Sequence, residues 1–155
     1  MSFVELYKAV TEGNYEKVDS ILNDGQVDPN QEEWPISIAS CMGNVRIVKR
    51  LLQDERVDPT IEENEPICGA AMEGHLDVVK LLMEDPRVDP SDGDNFPLKM
   101  AVENGNIEMA KVLLKDSRVD PFQTRVEYLS NGRKSAYEIA KEDGMTEIVE
   151  LFEAR

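Results

Sequence analysis

The sequence predicts an all-α solenoid, in which about five pairs of short helices stack side by side. A Val-Asp-Pro motif occurs four times, with its aspartates at Asp28, Asp58, Asp89 and Asp120, 30 or 31 residues apart. Between the motifs the same pattern returns: a Pro, an Ala four residues later, a Gly four residues after that, and then a Leu-Leu pair. Repetition at such a period is typical of repeat proteins, whose units stack around one continuous core.

The first unit (residues 1–27) has two stripes of apolar residues at helical spacing, from Phe3 to Thr11 and from Tyr15 to Leu22. Gly13 separates them, and Asp24-Gly25 ends the second stripe as helices commonly end. We expect two helices, with a polar outer side that suits the end of a stack.

The next three units (residues 28–57, 58–88 and 89–119) each open a first helix at a Pro, where the missing N–H would be unpaired in any case. A Gly then permits a left-handed turn into the second helix. Trp34-Pro35 is predicted to open a short helix with Ile36, Ile38 and Ala39. The other predicted helices are Val45 to Leu52, Pro66 to Met72, Leu76 to Met83, Pro97 to Glu103 and Ile107 to Leu114.

The fifth unit (residues 120–155) contains an insertion at residues 122–134. Asn131-Gly132 is a turn signal, so the insertion is predicted to be a loop or small hairpin, and the most mobile part of the chain. Two helices, Ala136 to Lys141 and Met145 to Phe152, then close what we expect to be a single domain over residues 1–155.

Composition limits the classes of partner. The 155 residues are 41% hydrophobic and 32% charged, as in folded proteins, and the net charge is −15. So acidic a chain is predicted not to bind nucleic acid or anionic membranes, and a basic protein is the favoured partner. Two cysteines without framework spacing, and no apolar run of membrane-spanning length, predict a cytoplasmic protein.

The passage Pro66-Ile67-Cys68-Gly69-Ala70-Ala71-Met72-Glu73-Gly74-His75-Leu76-Asp77-Val78-Val79-Lys80-Leu81-Leu82 resembles the ankyrin repeat. The resemblance extends over essentially the whole chain. It implies a non-enzymatic scaffold for protein–protein interaction. The ankyrin period is about 33 residues. The period here is shorter between Asp and Pro, so the finger loops (the segments from each Val-Asp-Pro motif to the next first helix) should be stubby.

The resemblance also implies where a partner binds, namely the finger loops and the concave face of the first helices. Three finger windows, residues 28–35, 58–66 and 89–97, contain three, four and three acidic residues and no Lys or Arg. They predict an acidic stripe that steers a basic partner, with solubility as the alternative reading. The candidate binding residues are Glu32, Glu33, Trp34, Met42, Glu62, Glu63, Glu65, Met72, Glu73, Asp92, Asp94, Phe96, Glu103 and Asn104.

Several of these side chains have a second interpretation. Trp34 and Phe96 either anchor a partner or pack over the next finger. The apolar residues Met42, Met72 and Val102 form either an adaptable strip in the groove or part of the ordinary core. His75 is expected to bond local backbone, and Cys41 and Cys68 to be a reduced, packed pair.

No catalytic, cofactor-binding or metal-binding set is expected. The sequence contains no triad, phosphate loop or zinc-ligand spacing, and the aspartates near Asp89 lack the calcium-loop spacing. Arg56, Arg87 and Arg118 precede the Val-Asp motifs. They are expected to follow helix ends and pair with an aspartate of a neighbouring unit, with phosphate binding as the alternative.

The predicted function is a monomeric interaction scaffold for a basic protein. The alternative is a structural repeat module that associates with itself through the end of the stack or the aromatic finger tips.

Overall fold

The computed structural model of the protein describes residues 2–30, 34–123 and 134–155. Within them are ten α-helices and no β-strand, which confirms the predicted all-α repeat fold. Most of the predicted insertion, as well as Glu32 and Glu33, lies outside the described residues. The helices are α1 (Phe3–Thr11), α2 (Tyr15–Asp24), α3 (Pro35–Cys41), α4 (Val45–Leu52), α5 (Ile61–Met72), α6 (Leu76–Met83), α7 (Asp92–Glu103), α8 (Ile107–Leu113), α9 (Ala136–Glu142) and α10 (Thr146–Glu153).

The helices form two layers. α1, α3, α5, α7 and α9 contact one another in chain order and make the inner layer, while the even-numbered helices do the same and make the outer layer. Each inner helix also packs on the outer helix that follows it. Ala39, Ala70 and Ala101 are completely buried on the inner helices, where a small side chain allows close approach.

One hydrophobic cluster runs through the whole stack and joins the two layers. The helices have 7 to 12 residues, which is too short for stability in isolation. Their stability therefore comes from the apolar faces that neighbouring helices bury, and the outer helices contribute fully buried residues such as Val48, Val79 and Leu113.

Gly74 shows how each inner helix turns into its outer partner. Its φ is +79°, a left-handed conformation that side chains rarely adopt. This turn allows the N–H of His75 to donate to the carbonyl of Ala70 at 2.8 Å, which closes the end of α5. The repeated Gly in the sequence is thus explained by the backbone.

The arginines before the Val-Asp motifs link consecutive units. Arg87 donates Nε and Nη2 to the two carboxylate oxygens of Asp85 at 2.9 and 2.7 Å, and Nη1 to the carbonyl of Val57 at 3.0 Å. Arg56 and Arg118 make equivalent contacts. The main carboxylate partner is not the predicted aspartate of a neighbouring unit, although Arg118 Nη1 also lies 3.6 Å from Asp89 of the preceding Val-Asp-Pro motif. The carboxylate lies two residues earlier in the chain, because the turn after each outer helix folds the guanidinium back, and the neighbouring unit contributes a backbone carbonyl.

Candidate interaction surface

Two of the finger loops are left-handed turns. The first turn of α5 contains Glu62, Glu63 and Asn64, whose φ angles are 47°, 57° and 62°. α7 begins in the same way at residues 93–95, with φ angles of 59°, 64° and 57°. Residues other than Gly, Asn and Asp rarely adopt this conformation. The short Asp-to-Pro spacing therefore produces a compact turn that leaves Glu62 and Glu63 exposed.

Buried asparagines hold these turns against one another. Asn64 is 3% exposed; its Oδ1 accepts from the N–H of Asp89 at 3.0 Å, and its Nδ2 donates to the carboxylate of Asp92 at 2.7 Å. Asn95 Oδ1 likewise accepts from the N–H of Asp120 at 3.1 Å. Asp92 therefore has a structural partner on the preceding turn.

Asp94 is also part of the fold. It is 4% exposed and accepts a 2.5 Å hydrogen bond from Nζ of Lys99, itself buried. Asp94 was predicted to belong to an acidic stripe that binds a partner, and its burial corrects that prediction. Lys99 is the signal that could have revealed it, because the matching positions in the two preceding units are Ser37 and Cys68, which carry no charge. A buried lysine needs a carboxylate beside it.

A groove of about 620 Å³ lies between α7 and α9. Phe96, Met100 and Ile139 provide its apolar lining, and each is half-buried. Charged residues surround these three, and both lysines of the lining are neutralised locally, because Lys99 pairs with Asp94 and Lys134 with Glu142. The full lining of this α7/α9 groove is Gly93, Phe96, Lys99, Met100, Glu103, Lys134, Ile139, Glu142 and Asp143.

A second groove, of about 390 Å³, lies between α5 and α7. It shares Gly93 and Phe96 with the first groove, so the Phe96 ring stands between the two. Its lining is more acidic, with three carboxyl groups around a small apolar floor. The residues of this α5/α7 groove are Glu62, Glu63, Glu65, Cys68, Gly69, Met72, Gly93 and Phe96.

The two thiols beside the α5/α7 groove are unreactive in character. Both cysteines are free and half-buried. Burial, followed by the charge of Glu65, raises the pKa of Cys41 to about 11 and that of Cys68 to about 12. Protonated thiols are poor nucleophiles. Cys41 Sγ instead fills space above Gly69, where an added Cβ would lie 2.3 Å from the sulfur.

His75 joins two units through a ring nitrogen. Its Nε2 lies 2.9 Å from the carbonyl oxygen of Cys41, and its ring covers Gly43. The expectation that His75 bonds local backbone is wrong, since the bonded carbonyl belongs to the preceding inner helix. The described residues contain no group of three or more His, Cys, Asp or Glu side chains that could hold a metal ion.

The structure brings together about half of the predicted site residues. Glu62, Glu63, Glu65, Met72, Phe96 and Glu103 line one groove or the other. Met42 is 50% exposed, but it lies outside both linings, as do Trp34, Glu73 and Asn104. Asn104 caps the end of α5, where its Nδ2 donates to the carbonyl of Met72 at 3.0 Å.

Met100 and Ile139 are groove residues that the sequence reasoning missed. Each lies three residues after the position that the repeated Pro occupies in its unit, which is Pro97 in the fourth unit and Ala136 in the fifth. That is one helical turn before Glu103 and Glu142, on the same face. Extending the predicted concave positions by one turn toward the N-terminus would have found both.

These features define a helical repeat solenoid with a grooved inner face. The family model for ankyrin repeats (3 copies) matches residues 6–94, 36–125 and 67–153, so the chain belongs to the ankyrin repeat family. Ankyrin repeats generally mediate protein–protein interaction and are typically non-enzymatic. A comparison with curated proteins found no match. In the part of the chain that the structure describes, no helix is long and apolar enough to cross a membrane.

Proposed function

We propose that this protein is a scaffold that holds a basic segment of a partner protein across the α5/α7 and α7/α9 grooves. The observation that carries the proposal is a set of groove carboxyl groups with no salt bridge in the described residues: Glu62, Glu63, Glu65, Glu103 and Asp143. One oxygen of Glu65, Oε2, is shielded from water and has no hydrogen-bond partner among those residues. The other four carboxyl groups are exposed, and a lysine or arginine of a partner would form charge-assisted hydrogen bonds with them.

The carboxyl groups act in two ways in this proposal. At the exposed turns, Glu62 and Glu63 raise the local concentration of basic segments and speed association, an effect that salt screens. Within the grooves, Glu65 and Glu103 pair with the bound cations and slow dissociation. Asp92 and Asp94 are excluded from both roles because they are committed to Asn64 and Lys99.

The test uses two variants with the same change in net charge. One replaces Glu62, Glu63 and Glu103 with glutamine on the inner side. Its matched control replaces Glu55, Glu84 and Glu147, which are exposed and lie outside both groove linings. Proteins that the unmodified chain captures from a native lysate are identified, and their association rates are measured at several salt concentrations.

The inner variant should associate about tenfold more slowly, with a weaker dependence on salt, while the control should match the unmodified chain. Equal loss in both variants would mean that net charge alone is responsible, and no loss in either would overturn the proposal. Sedimentation over a range of concentration tests the monomeric state that the proposal assumes. Association of the chain with itself would favour the structural-module alternative.

A further inference from the structure

We infer that the α7/α9 groove is an anchor site for one large apolar side chain of the partner, with lysine or arginine beside it directed toward the α5/α7 groove. This inference rests on the proposed function and names the chemistry of the bound segment. It commits to a partner protein carrying an aromatic or large aliphatic residue within a basic segment.

The size and lining of the α7/α9 groove suit a side chain. Its volume of about 620 Å³ lies in the range of about 300–1,000 Å³ that is usual for ligand pockets. Met100 and Ile139 pack on the core with one side and are only partly covered on the other, and Phe96 is likewise only partly covered. An apolar side chain placed against them would remove that remaining area from water.

The charges around the α7/α9 groove select what accompanies the apolar side chain. Lys99 and Lys134 would repel a cation, but each is already paired with a carboxylate. Glu103 and Asp143 remain exposed without a salt bridge in the described part of the chain. The groove therefore favours an apolar group beside a positive charge and disfavours one beside a negative charge.

The α5/α7 groove determines the direction of the segment. Its floor is small and is formed by Cys68, Gly69 and Met72. It holds three carboxyl groups without a salt bridge among the described residues, whereas the α7/α9 groove holds two, Glu103 and Asp143. Because Phe96 separates the grooves, a segment anchored on one side of the ring places its neighbouring residues on the other side. Those neighbours should be basic.

A second copy of this chain does not fit the same chemistry. The exposed large hydrophobic residues of the described part are Val4, Met42, Val45, Met72 and Phe122. Only Val45 among them has a lysine or arginine next to it, and that residue, Arg46, already pairs with Glu16 and lies over the ring of Tyr15. The described residues of a second copy therefore offer no such segment, and the inference commits to a different protein as the occupant.

The experiment compares two blocked peptides, Lys-Lys-Trp-Lys-Lys and Lys-Lys-Ser-Lys-Lys, which have equal charge. Each is titrated into the full chain while the methyl signals of Met100 and Ile139 are followed by NMR. The tryptophan peptide should bind at least tenfold more tightly and shift both signals. Tenfold corresponds to about 1.4 kcal/mol, or about 60 Å² of apolar surface at about 25 cal/mol per Å². That area is well within what a tryptophan can bury.

Matched variants show which residues cause the tighter binding of the tryptophan peptide. Ile139→Ala should abolish the advantage of tryptophan, and Ile38→Ala should keep it. Both isoleucines are half-buried and stand three residues after the start of an inner helix, but Ile38 is outside both groove linings. Met100→Ala provides a second change in the same floor if Ile139→Ala fails to fold.

Failure of the anchor site can be distinguished from failure of the proposed function. Equal, salt-sensitive binding of the two peptides would overturn the anchor site and leave the proposed basic partner in place. A tryptophan advantage that survives both Ile139→Ala and Met100→Ala would place the anchor elsewhere and overturn the inference. Absence of binding by both peptides at about 1 mM, an affinity of about −4 kcal/mol, would also overturn it, while partner capture would still test the scaffold role separately.

Discussion

Replacing Gly69 with alanine should destabilise the protein, although the same change inside a helix normally stabilises it. Gly69 lies in α5 with ordinary helical backbone, so its lack of a side chain is not required by φ and ψ. It is required by packing. An added Cβ would lie 2.3 Å from Sγ of Cys41 and 3.3 Å from Oε1 of Glu65.

The change in the free energy of unfolding caused by Gly69→Ala is the sum of two opposing effects. Helix propensity favours alanine over glycine by about 1 kcal/mol. Overpacking a tight contact costs about 1–3 kcal/mol, because the sulfur or the end of α3 has to move. The net result should be a loss of about 1 kcal/mol in the free energy of unfolding. For a protein of this size that loss lowers the melting temperature by about 2–4 °C.

The assay is urea denaturation followed by circular dichroism, on Gly69→Ala, Cys41→Ala and the double variant. In the Cys41→Ala background the obstructing sulfur is absent, so Gly69→Ala should stabilise by about 1 kcal/mol and the coupling energy should be about 1–3 kcal/mol. Cys68→Ala is the control and should not rescue. Stabilisation by Gly69→Ala in the unmodified protein would refute the packing argument.

Three further predictions test other parts of the structure. Glu62→Gly should stabilise by about 0.5–1 kcal/mol by relieving left-handed strain, and Gly93→Ala, at the equivalent position, should destabilise by a similar amount in thermal denaturation; no change in either would contradict the left-handed turns. The hydrogen bond from Arg87 lowers the pKa of Asp85, so its stabilising effect is complete above the ordinary aspartate pKa and is lost as pH falls through the lowered folded value. The stability difference between the unmodified protein and Asp85→Asn should therefore shrink below about pH 4, and a constant difference down to pH 2 would count against the pair. Burial raises the pKa of Cys68 to about 12, so iodoacetamide should alkylate it much more slowly at pH 8 in the folded than in the denatured protein, as measured by mass spectrometry of its peptide; equal rates would show an accessible thiolate.

The fold could be predicted from the sequence because its determinants recur. Ala70 and Gly74 have counterparts at the same spacing in the other units, and the structure gives the copies the same burial or the same turn. Helix ends differ by one or two residues, as at α2, which continues to Asp24. The main difference is at α5 and α7, which begin earlier than Pro66 and Pro97 through their left-handed turns.

The candidate surface was less predictable, because the spacing of residues along the sequence does not show how deeply each side chain is buried. Asp94 and Glu63 occur in equivalent acidic loops, yet one is buried against Lys99 and the other is exposed. The partner of Arg87 was wrongly predicted because the turn after the outer helix, which the sequence does not show, brings the guanidinium to Asp85 and not to an aspartate of a neighbouring unit. The groove between α7 and α9 depends on which side chains leave space, and a pattern of residue types does not show this.

Several contacts between units end on main-chain atoms. Arg87 reaches the carbonyl of Val57, Asn64 accepts from the N–H of Asp89, and Arg155 donates to the carbonyl of Val119. Main-chain atoms are the same whatever side chains surround them. These particular contacts can therefore be kept without a compensating substitution when a unit is duplicated, deleted or exchanged, and they help recombination to change the length of such an array.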